Sequence, residues 1–506
     1  MTEIIAELQL PVLSPLTRTA TGFVPESTPE QVAAIVASLR DHQPDWAALG
    51  VAGRAAWVAK YRDWLLDNQD HIADLLRSET GKPRAEAVFE VPFVVDELNY
   101  YANNAAKFLA DEHPRPHGLM TAGRRMTVRY VPHQVVGVIS PWNFPIALTL
   151  WDAIPALLAG AAVIVKPSEH TPLAVHYVLK GWEEIGAPPV FAFAGGAGAT
   201  GAAVVDNVDF VQFTGSTRTG RAIAEQAGRR LIPYSLELGG KDPAIVAADA
   251  DLDYAASGIA FGALLNSGQM CVSTERIYVE ESVHDEFVDK LVAQVSALRQ
   301  NGESGFETDL GPLITDEQFT IVEKHVADAI HRGAVVKTGG KPGLAPGFFE
   351  PTVLTNVDHS MLVMREETFG PILPVMRVRD IDHAVELAND SVYGLGATVW
   401  TASTKRGKEI AQRLEVGAVD VNDTSAAHLI CFPAPSTGWK SSGIGGRFGI
   451  DGIRKYCKVR SVVSSVPGTA AAVQMAWFPY TAARSKAFGV FMRFTGGRDI
   501  RRRLGI

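Results

Sequence analysis

Cys271 closes a stretch from Phe261 onward that has the character of an apolar helix followed by a turn containing Gly268. A thiol in such a turn is exposed enough to react, and its thiolate is a strong nucleophile towards carbonyl carbon. Taken alone, this stretch is more typical of a Cys that packs as a small buried hydrophobe. Two other stretches favour the reactive interpretation.

The first stretch places Glu237 between Leu236 and Leu238 at the end of a strand-like run. Apolar neighbours raise the pKa of a carboxyl group, which suits a general base. The second places Asn143 between Pro141 and Pro145, directly after another strand-like run. An amide fixed in this way can donate a hydrogen bond to an oxyanion. The simpler alternatives are a salt-bridged strand residue for Glu237 and a turn former for Asn143.

Composition limits the classes of function. The chain has 506 residues, 20% of them charged, and a net charge of -9, so no basic surface dominates and we expect no nucleic-acid partner. The three cysteines Cys271, Cys431 and Cys457 are far apart, which argues against a disulfide framework and against a Cys-rich metal site. We therefore predict no metal and a reducing, cytoplasmic location.

The ends of the chain and its hydropathy are relevant to targeting. Residues Met1 to Glu7 are acidic rather than basic, and no uninterrupted apolar run reaches the ~18 residues that cross a bilayer. We expect a protein that is neither secreted nor membrane-spanning.

The periodicity predicts an α/β fold. Thr28 to Gln31 form a capping box with Pro29 at the first helical position, and roughly the first hundred residues are expected to be all-helical. From Val135 onward, short β-branched runs alternate with helices, which predicts a doubly wound, Rossmann-like parallel sheet. A second α/β unit begins near Gly240, and 417–422 is expected to be its last buried strand.

A glycine-rich segment, Gly196 to Gly201, satisfies the G-x-G-x-x-G pattern of dinucleotide-binding turns. Its context disagrees, because little chain is left for a helix before the next strand, and that strand ends in Thr214-Gly215-Ser216 rather than in an acidic ribose ligand. We interpret Gly196 to Gly201 as a tight turn.

The three reactive stretches, in this order and at these separations, resemble the aldehyde dehydrogenase superfamily from about Trp46 to Val463. Further motifs in register with that superfamily are Lys166-Pro167-Ser168-Glu169, Phe213-Thr214-Gly215-Ser216, Glu367-Thr368-Phe369-Gly370-Pro371 and Gly438-Trp439-Lys440-Ser441-Ser442-Gly443. The resemblance implies that Cys271 adds to an aldehyde to give a thiohemiacetal. Asn143 and the Cys271 backbone N–H would hold the oxyanion, hydride would pass to NAD(P), and water activated by Glu237 would hydrolyse the thioester.

The resemblance also implies how the cofactor is held. It assigns the pyrophosphate to Gly215 and Ser216, at the start of a helix that runs to about Arg230, where free backbone N–H groups favour anions. The other implied cofactor residues are Lys166 and Glu169 on the adenosine ribose, Glu367 on the nicotinamide ribose with Glu366 as the alternative, Phe369 beside the ring, and Trp142 along the cleft.

The charge of Glu169 disfavours the 2'-phosphate of NADP, so NAD is the expected cofactor, with NADP left open by the neighbouring Lys166.

Similar proteins also suggest a domain plan and an assembly. Residues 1–115 and 137–239 would form the NAD-binding domain, 240–445 the catalytic domain, and 116–136 with 446–466 an oligomerisation flap. Exposed strand edges of such a flap normally pair with another chain, which predicts a homodimer or a homotetramer.

Substrate choice is the least transferable inference. Phe144 and Trp151 fall where similar proteins line the substrate tunnel, although packing in the core is an alternative. Many relatives carry Pro-Phe-Gly-Gly where this chain has Pro435-Ser436-Thr437-Gly438. No basic residue can be assigned to a substrate carboxylate, so a semialdehyde such as succinate semialdehyde is neither favoured nor excluded. A coenzyme A-acylating relative is disfavoured by the retention of Glu237.

The segment 467–506 lies beyond the resemblance and ends in a basic stretch. From Tyr480 onward it contains seven basic residues and one acid, Asp499, so its charge is 7 - 1 = +6. As a helix it would place Phe488, Phe491 and Phe494 on one face. This pattern is typical of an interfacial helix at an anionic membrane surface, and equally of a helix whose aromatic residues dock on protein.

Overall fold

A computed structural model describes residues 8–118, 121–300, 305–465 and 477–504. The predictions for the first seven residues therefore lie outside the described residues. Contacts divide the chain into two compact units, Met1–Ala105 with Pro132–Tyr456 and Ala106–Val131 with Cys457–Ile506. The second unit begins earlier in its first segment and later in its second segment than the predicted flap.

The described strands are β1 (Gln9–Leu13), β2 (Ala20–Pro25), β3 (Arg124–Pro132), β4 (Val135–Ile139), β5 (Ala162–Lys166), β6 (Phe191–Phe193), β7 (Phe210–Thr214), β8 (Tyr234–Glu237), β9 (Asp242–Val246), β10 (Thr274–Glu280), β11 (Val335–Thr338), β12 (Thr352–Thr355), β13 (Ile372–Val378), β14 (Tyr393–Gly394), β15 (Gly396–Trp400), β16 (Ala418–Val421), β17 (Trp439–Lys440), β18 (Gly443–Ile444) and β19 (Cys457–Ser465).

The described α-helices are α1 (Pro29–Ala48), α2 (Gly50–Asp67), α3 (Gln69–Thr80), α4 (Arg84–Ala87), α5 (Glu90–Phe108), α6 (Pro145–Ala159), α7 (Leu173–Glu184), α8 (Gly198–Asn207), α9 (Thr217–Arg230), α10 (Leu252–Leu264), α11 (His284–Ser296), α12 (Asp316–His331), α13 (Leu362–Arg365), α14 (Ile381–Asn389), α15 (Thr404–Ala411), α16 (Ser425–His428), α17 (Gly449–Arg454), α18 (Ala482–Gly496) and α19 (Ile500–Leu504).

The first unit opens with a hairpin rather than a helix. β1 and β2 pair antiparallel, and the turn between them is closed by a 2.9 Å hydrogen bond from the Ser14 N–H to the Thr19 carbonyl. The hairpin buries Val12 and Val24, one residue from each strand. The expectation of an all-helical opening is wrong for this segment, because each strand contributes too few residues for its alternation to stand out in the sequence.

The predicted start of α1 is confirmed. The Thr28 hydroxyl accepts a hydrogen bond from the Gln31 N–H, and the Gln31 side chain accepts one from the Thr28 N–H at 2.8 Å. Pro29 occupies the first helical position, where its missing N–H costs nothing.

The first sheet is the predicted doubly wound half, with strand order β18-β8-β7-β4-β5-β6. Its pairs are parallel except that β18 runs antiparallel to β8. Ligands of such sheets gather at the carboxyl ends of the strands. That edge carries the Asn143 loop after β4, Gly215 after β7 and Glu237 at the end of β8.

The interpretation of Gly196 to Gly201 as a tight turn is wrong after Ala197, because α8 begins at Gly198. Gly196 alone has a left-handed φ of +140°. The alanines and valines that follow Gly201 support a helix, and the Thr200 hydroxyl anchors its first turn by a 3.0 Å bond to the Ser27 carbonyl.

The second sheet has strand order β11-β12-β13-β10-β9-β15-β16, and only its β11–β12 pair is antiparallel among the described strands. Alternate residues of β9 enter different cores: Ile245 packs in one, and Ala244 and Val246 pack in the other. The prediction that the final strand is buried is wrong, since β16 lies at the sheet edge and its residues are only half-buried.

The second unit contains a two-stranded sheet of β3 and β19, as the flap predicted. The basic segment forms α18, followed by the short α19, and no side chain of either helix is fully buried. Within the described residues, no helix is long and apolar enough to cross a membrane.

Candidate active site

Cys271 follows α10 after a tight turn in which the backbone of two non-glycine residues is strained. The 3-10 turn Leu265–Gly268 holds Asn266 and Ser267 at left-handed φ values of 53° and 57°. Non-glycine residues adopt this conformation only where surrounding contacts enforce it. The Ser267 hydroxyl supplies one such contact, a 2.8 Å hydrogen bond to the Gly311 carbonyl. The turn leaves Cys271 half-buried in the wall of a cavity.

The environment of Cys271 disfavours its thiolate. Burial raises the pKa of Cys271 to about 12, and the positive charge of Arg447 opposes that rise. The carboxylates of Asp242, Glu237 and Glu367 raise the pKa further. The nucleophile therefore depends on nearby positive charge and on a base to become a thiolate.

Glu237 ends β8 and lines the same cavity. Its side chain is 6% exposed, and its Oε1 atom is buried without a hydrogen-bond partner. Burial raises the pKa of Glu237, while Arg447 and Lys455 lower it. The direction matches the prediction from its two leucine neighbours, and the unpaired oxygen is free to accept a proton from water.

Asn143 is locked in the loop between β4 and α6. Its Nδ2 donates a 2.9 Å hydrogen bond to the Gln269 carbonyl, next to the cysteine turn. Its own carbonyl accepts bonds of 3.0 Å from Lys82 Nζ and from Asn266 Nδ2. These contacts bring the predicted amide to the predicted thiol.

A buried ion pair supports this loop. Lys82 Nζ lies 2.6 Å from Glu90 Oε1, and both side chains are almost fully buried. The other Glu90 oxygen accepts from the N–H groups of Ile146 and Ala147, in the first turn of α6. A carboxylate at this end of a helix is favoured by the helix dipole. Sequence analysis missed the pair. The local signal was Pro145, which marks the start of a helix whose next N–H groups need an acceptor.

The cavity in front of Cys271 has a volume of about 400 Å³. Phe144 and Trp151 both line it, as predicted for substrate-tunnel residues. The Trp151 ring packs edge-on against Phe448 at 5.5 Å between centroids. The remaining apolar lining residues are Phe89, Phe93, Ala147, Leu148, Phe261, Leu265, Met270, Val272, Leu395, Ala426, Ala427, Leu429 and Ile430.

On the cofactor side, Gly215 connects β7 to α9. A side chain at Gly215 would collide with the Phe213 ring, at 2.6 Å from its nearest atom. Ser216 caps α9, and its hydroxyl accepts from the Thr219 N–H. The helix N-terminus beyond it presents backbone N–H groups, which is the arrangement that suits a pyrophosphate.

The predicted ribose and ring residues are also grouped. Lys166 Nζ donates to Glu169 Oε2 at 3.1 Å, at the end of β5. The rings of Trp142 and Phe369 meet edge-on at 5.4 Å between centroids.

The two candidate acids for the nicotinamide ribose, Glu366 and Glu367, lie in different environments. Glu367 accepts a 3.1 Å hydrogen bond from the Gly240 N–H, and burial raises its pKa to about 8. Glu366 is exposed. Glu367 is thus the acid that lies against the Gly239–Gly240 turn.

The aldehyde dehydrogenase family model matches residues 5–462 of this chain. The chain belongs to the aldehyde dehydrogenase family. It is therefore an enzyme that oxidises an aldehyde with a nicotinamide cofactor, and the predicted fold and overall reaction are confirmed.

Individual relatives differ in their names and in how far they match. A protein of Mycolicibacterium smegmatis, provisionally named a succinate-semialdehyde dehydrogenase of the NADP(+) type, is 44% identical over 446 residues, which are 87% of this chain and 86% of the relative. The 4,4'-diapolycopene aldehyde oxidase of a Methylomonas species is 37% identical over 495 residues, which are 96% and 91% of the two chains. The crystal structure of lactaldehyde dehydrogenase from Escherichia coli is 32% identical, with a TM-score of 0.87 over 91% of this chain and 97% of that one.

Sequence analysis missed one further group in the wall of this aldehyde dehydrogenase cavity. Arg447 lines it together with Cys271 and Glu237, and is bonded to Asp152 in α6. The two residues are separated by 295 positions, so no local pattern reveals the pair.

Proposed function

We propose that the enzyme oxidises long, apolar aldehydes. The observation that carries the proposal is the cavity wall: aromatic and aliphatic side chains make up most of it, and they continue onto its rim. Phe261, Phe89 and Ile430 line the cavity and are still 53%, 48% and 46% exposed. Each buried methylene of a substrate chain contributes about 0.8 kcal/mol of favourable transfer free energy in such a cavity.

The charges of the cavity disfavour a substrate that carries a carboxylate. Among its described lining residues the only cation is Arg447, which is held by Asp152. The acids Glu86 and Asp423 lie in the same wall. A second carboxylate here would lose its hydration without gaining a counter-ion, which is strongly unfavourable.

The Methylomonas relative supports the proposal. Its name refers to an aldehyde of diapolycopene, a long polyene chain. Its match leaves only 4% of this chain unpaired, too little to account for all the residues that follow Ser465, so the similarity runs into the basic C-terminal segment.

A semialdehyde acid is the second candidate, favoured by the name of the Mycolicibacterium relative and its 44% identity. A panel of aldehydes separates the two. We expect kcat/KM to rise at least tenfold from butanal to decanal. Succinate semialdehyde should be about a hundredfold poorer than decanal, because its carboxylate finds no counter-ion. A highest kcat/KM for succinate semialdehyde would overturn the proposal.

We propose the following catalytic roles, which the geometry supports. Cys271 Sγ adds to the aldehyde carbon, and the oxyanion accepts hydrogen bonds from Asn143 Nδ2 and the Cys271 backbone N–H. After oxidation to the thioester, Glu237 takes a proton from the attacking water, and cleavage of the C–S bond releases the carboxylic acid and Cys271. The unpaired Oε1 of Glu237 supports this role.

NAD(P) would accept the hydride, as the bound cofactor of the reaction. Gly215 and the α9 N-terminus at Ser216 would hold its pyrophosphate, Lys166 and Glu169 its adenosine ribose, and Glu367 its nicotinamide ribose, with Trp142 and Phe369 beside the ring. The fit rests on two observations: the close approach at Gly215 leaves room only for backbone, and the helix start carries no acid in its first turn.

We further propose that the enzyme is a homo-oligomer whose copies join through β19. Val459, Val462 and Val463 of this strand are more than half exposed, and the strand has β3 as its neighbour in a two-stranded sheet. An exposed apolar edge of this kind is stabilised by pairing with a second copy. Light scattering should show a dimer or tetramer that Val462→Asp dissociates; a monomeric wild-type enzyme would contradict this proposal.

The basic segment is proposed to bind an anionic lipid surface. The groove between α18 and α19 combines an apolar floor with a cationic rim, and is lined by Ala483, Lys486, Ala487, Val490, Phe491, Phe494, Arg503 and Leu504. Trp477, Phe478 and Tyr480 precede α18 and are 59%, 80% and 68% exposed, as expected of residues that enter a membrane interface. Basic residues near such a surface contribute about 1 kcal/mol each.

Vesicle sedimentation tests this proposal with the full-length enzyme. We expect binding to phosphatidylglycerol vesicles at low salt, weaker binding at high salt, and no binding to phosphatidylcholine alone. The variant R501E/R502E should lose binding, and R218E/R221E in α9 is the control that should retain it. Absent binding overturns the proposal. A change in oligomeric state on R501E/R502E, without any lipid binding, would show that the segment docks on protein instead.

A further inference from the structure

The Arg447 guanidinium is fixed in the cavity wall by Asp152. Its Nε and Nη2 atoms lie 3.1 Å and 2.6 Å from Asp152 Oδ2. Two N–H groups of the guanidinium thus bond to one carboxylate oxygen. Its Nη2 also donates to the Thr214 hydroxyl at the end of β7. Both Arg447 and Asp152 are almost fully buried.

A second cation reaches Asp152 from the opposite side. Lys455 Nζ lies 3.3 Å from Asp152 Oδ1, and the Tyr456 hydroxyl donates to the same oxygen at 3.2 Å. Lys455 Nζ also donates to Gln212 Oε1 at 2.8 Å. One carboxylate thus holds two cations.

This cluster holds two cations against the one carboxylate of Asp152, to which Arg447 and Lys455 are both bonded. Glu97 also lies close to it, and burial raises the pKa of that carboxyl well above its ordinary value, which disfavours its carboxylate form. Cys271 and Glu237 line the same cavity as Arg447. In the proposed reaction, each of these two residues becomes negatively charged.

We propose that Arg447 is a positioning residue whose charge, held in place by Asp152, favours the thiolate of Cys271 and the carboxylate of Glu237. This deepens the proposed function and rests on the roles of those two residues. Arg447 reaches the site from the chain segment beyond β18, on the substrate side, and its ion pair ties the α6 helix to that segment.

The directions of the shifts support the geometry. For Cys271, Arg447 is the charge that lowers the pKa, while Asp242, Glu237 and Glu367 raise it. For Glu237, Arg447 and then Lys455 lower the pKa, and Asp152 raises it. Removing Arg447 should therefore raise the pKa of both reactive groups.

The test is the pH dependence of Cys271 alkylation by iodoacetamide, followed by mass spectrometry on the full-length enzyme without substrate or cofactor. We expect R447M to move the alkylation profile upward by about one pH unit, which is a tenfold slower reaction at fixed pH. R447K should stay close to the wild type. The exposed Cys431 serves as an internal reference in each digest.

The matched control is R54M, because Arg54 is another buried arginine, on α2, that donates to the Leu158 and Ala159 carbonyls of α6 rather than to the site. It should leave the Cys271 profile unchanged. Circular dichroism of each variant checks that it folds. If R447M leaves the profile unchanged or shifts it downward, the charge of Arg447 has no such role.

The outcome is separable from a failure of the proposed function. If C271A still oxidises aldehydes, the nucleophile is wrong, whereas the alkylation profiles report only on the thiol. The second readout is the pH dependence of the oxidation rate, whose fall at acid pH we assign to protonation of Glu237. R447M should move this fall to higher pH. An unchanged profile would show that Arg447 does not act on Glu237.

Discussion

The side-chain amide of Asn143 donates to the backbone carbonyl of Gln269 at 2.9 Å, just before Cys271 in the chain. This bond joins the loop after β4 of the first sheet to the turn between α10 and β10, and β10 belongs to the second sheet. An amide nitrogen carries two hydrogens, so one remains for an oxyanion while the other holds the cysteine turn. We therefore expect Asn143 to hold the cysteine turn and to donate to the oxyanion.

Replacing Asn143 with Ala should lower the rate of the first hydride transfer by a factor of about 10²–10³, the usual effect of losing one oxyanion donor. Stopped-flow absorbance of the reduced nicotinamide measures it. Alkylation of Cys271 at a fixed pH is the control, because it needs no oxyanion and should change little. A first-turnover rate equal to the wild type would exclude Asn143 as a donor.

In the proposed mechanism Cys271 and Glu237 act in successive steps, so the two variants should fail at different steps. C271A should abolish oxidation. E237Q should release one burst of reduced cofactor per active site and then stall at the thioester, since the Gln amide cannot take the proton from water as the carboxylate would. Mass spectrometry of stalled E237Q should show the acyl group on Cys271. Multiple turnovers at the wild-type rate in either variant would refute the assignment.

The buried pair Lys82–Glu90 should contribute strongly to stability and to the site. Removing one partner leaves the other charged and buried, so K82M or E90Q should lower the free energy of unfolding by about 3–5 kcal/mol. Activity should fall as well, because Lys82 holds the Asn143 carbonyl. Thermal unfolding measures the first effect and the steady-state rate the second.

The matched control for that pair is R299M, which breaks the exposed ion pair between Arg299 and Asp309. An exposed pair is worth about 0–1 kcal/mol, so R299M should change the melting temperature far less than K82M. Equal effects of the two variants would mean that burial of the Lys82–Glu90 pair does not matter.

Most of the site was predictable because its chemistry is local in the sequence. Cys271 follows a helix and a glycine turn, Glu237 ends a strand between leucines, and Ser216 caps α9 within a four-residue motif. Each of these signals depends on residues next to one another. Glu237 and Ser216 meet at one end of the first sheet because parallel strands share their carboxyl ends, whereas Cys271 comes from the turn before β10 of the second sheet.

The buried ionic residues that hold the site in place were not predictable, because the residues that bond to one another are far apart in the chain. Arg447 and Asp152 are separated by 295 positions and Lys82 from Asn143 by 61. A lone arginine or lysine in a sequence is usually a solvated surface residue, and only tertiary packing shows that these are buried. The short β1–β2 hairpin was missed for a related reason, because strands of this length carry too little periodicity.

Cofactor preference should depend on the charge of Glu169. Lys166 lies 3.1 Å from its carboxylate, so the ribose site combines a negative and a positive group. We expect NAD to be preferred. E169Q should increase kcat/KM for NADP relative to NAD by roughly tenfold, and K166Q should shift the ratio the other way. Initial rates with both cofactors measure it; a ratio unchanged by both variants would place the 2'-phosphate elsewhere.

Glu97 should make the stability of the enzyme depend on pH. It is fully buried, and neither carboxyl oxygen has a hydrogen-bond partner. Burial raises the pKa of Glu97 well above its ordinary value of 4.5, and Asp152 adds to the rise. The folded protein therefore keeps a proton that the unfolded chain releases above that pH.

The sign of the effect follows from linkage. The protonated Glu97 contributes its stability fully below pH 4.5, and that contribution is lost as the pH rises from 4.5 towards the folded pKa. The loss is about 1.4 kcal/mol per pH unit within this window. E97Q cannot release a proton, so its melting temperature relative to the wild type should increase from pH 5 to pH 9. E184Q, an exposed carboxyl at the end of α7, is the control that should show no such trend. A constant difference between E97Q and the wild type across this range would show that Glu97 is ionised in the folded enzyme, with Arg447 and Lys455 as its counter-ions.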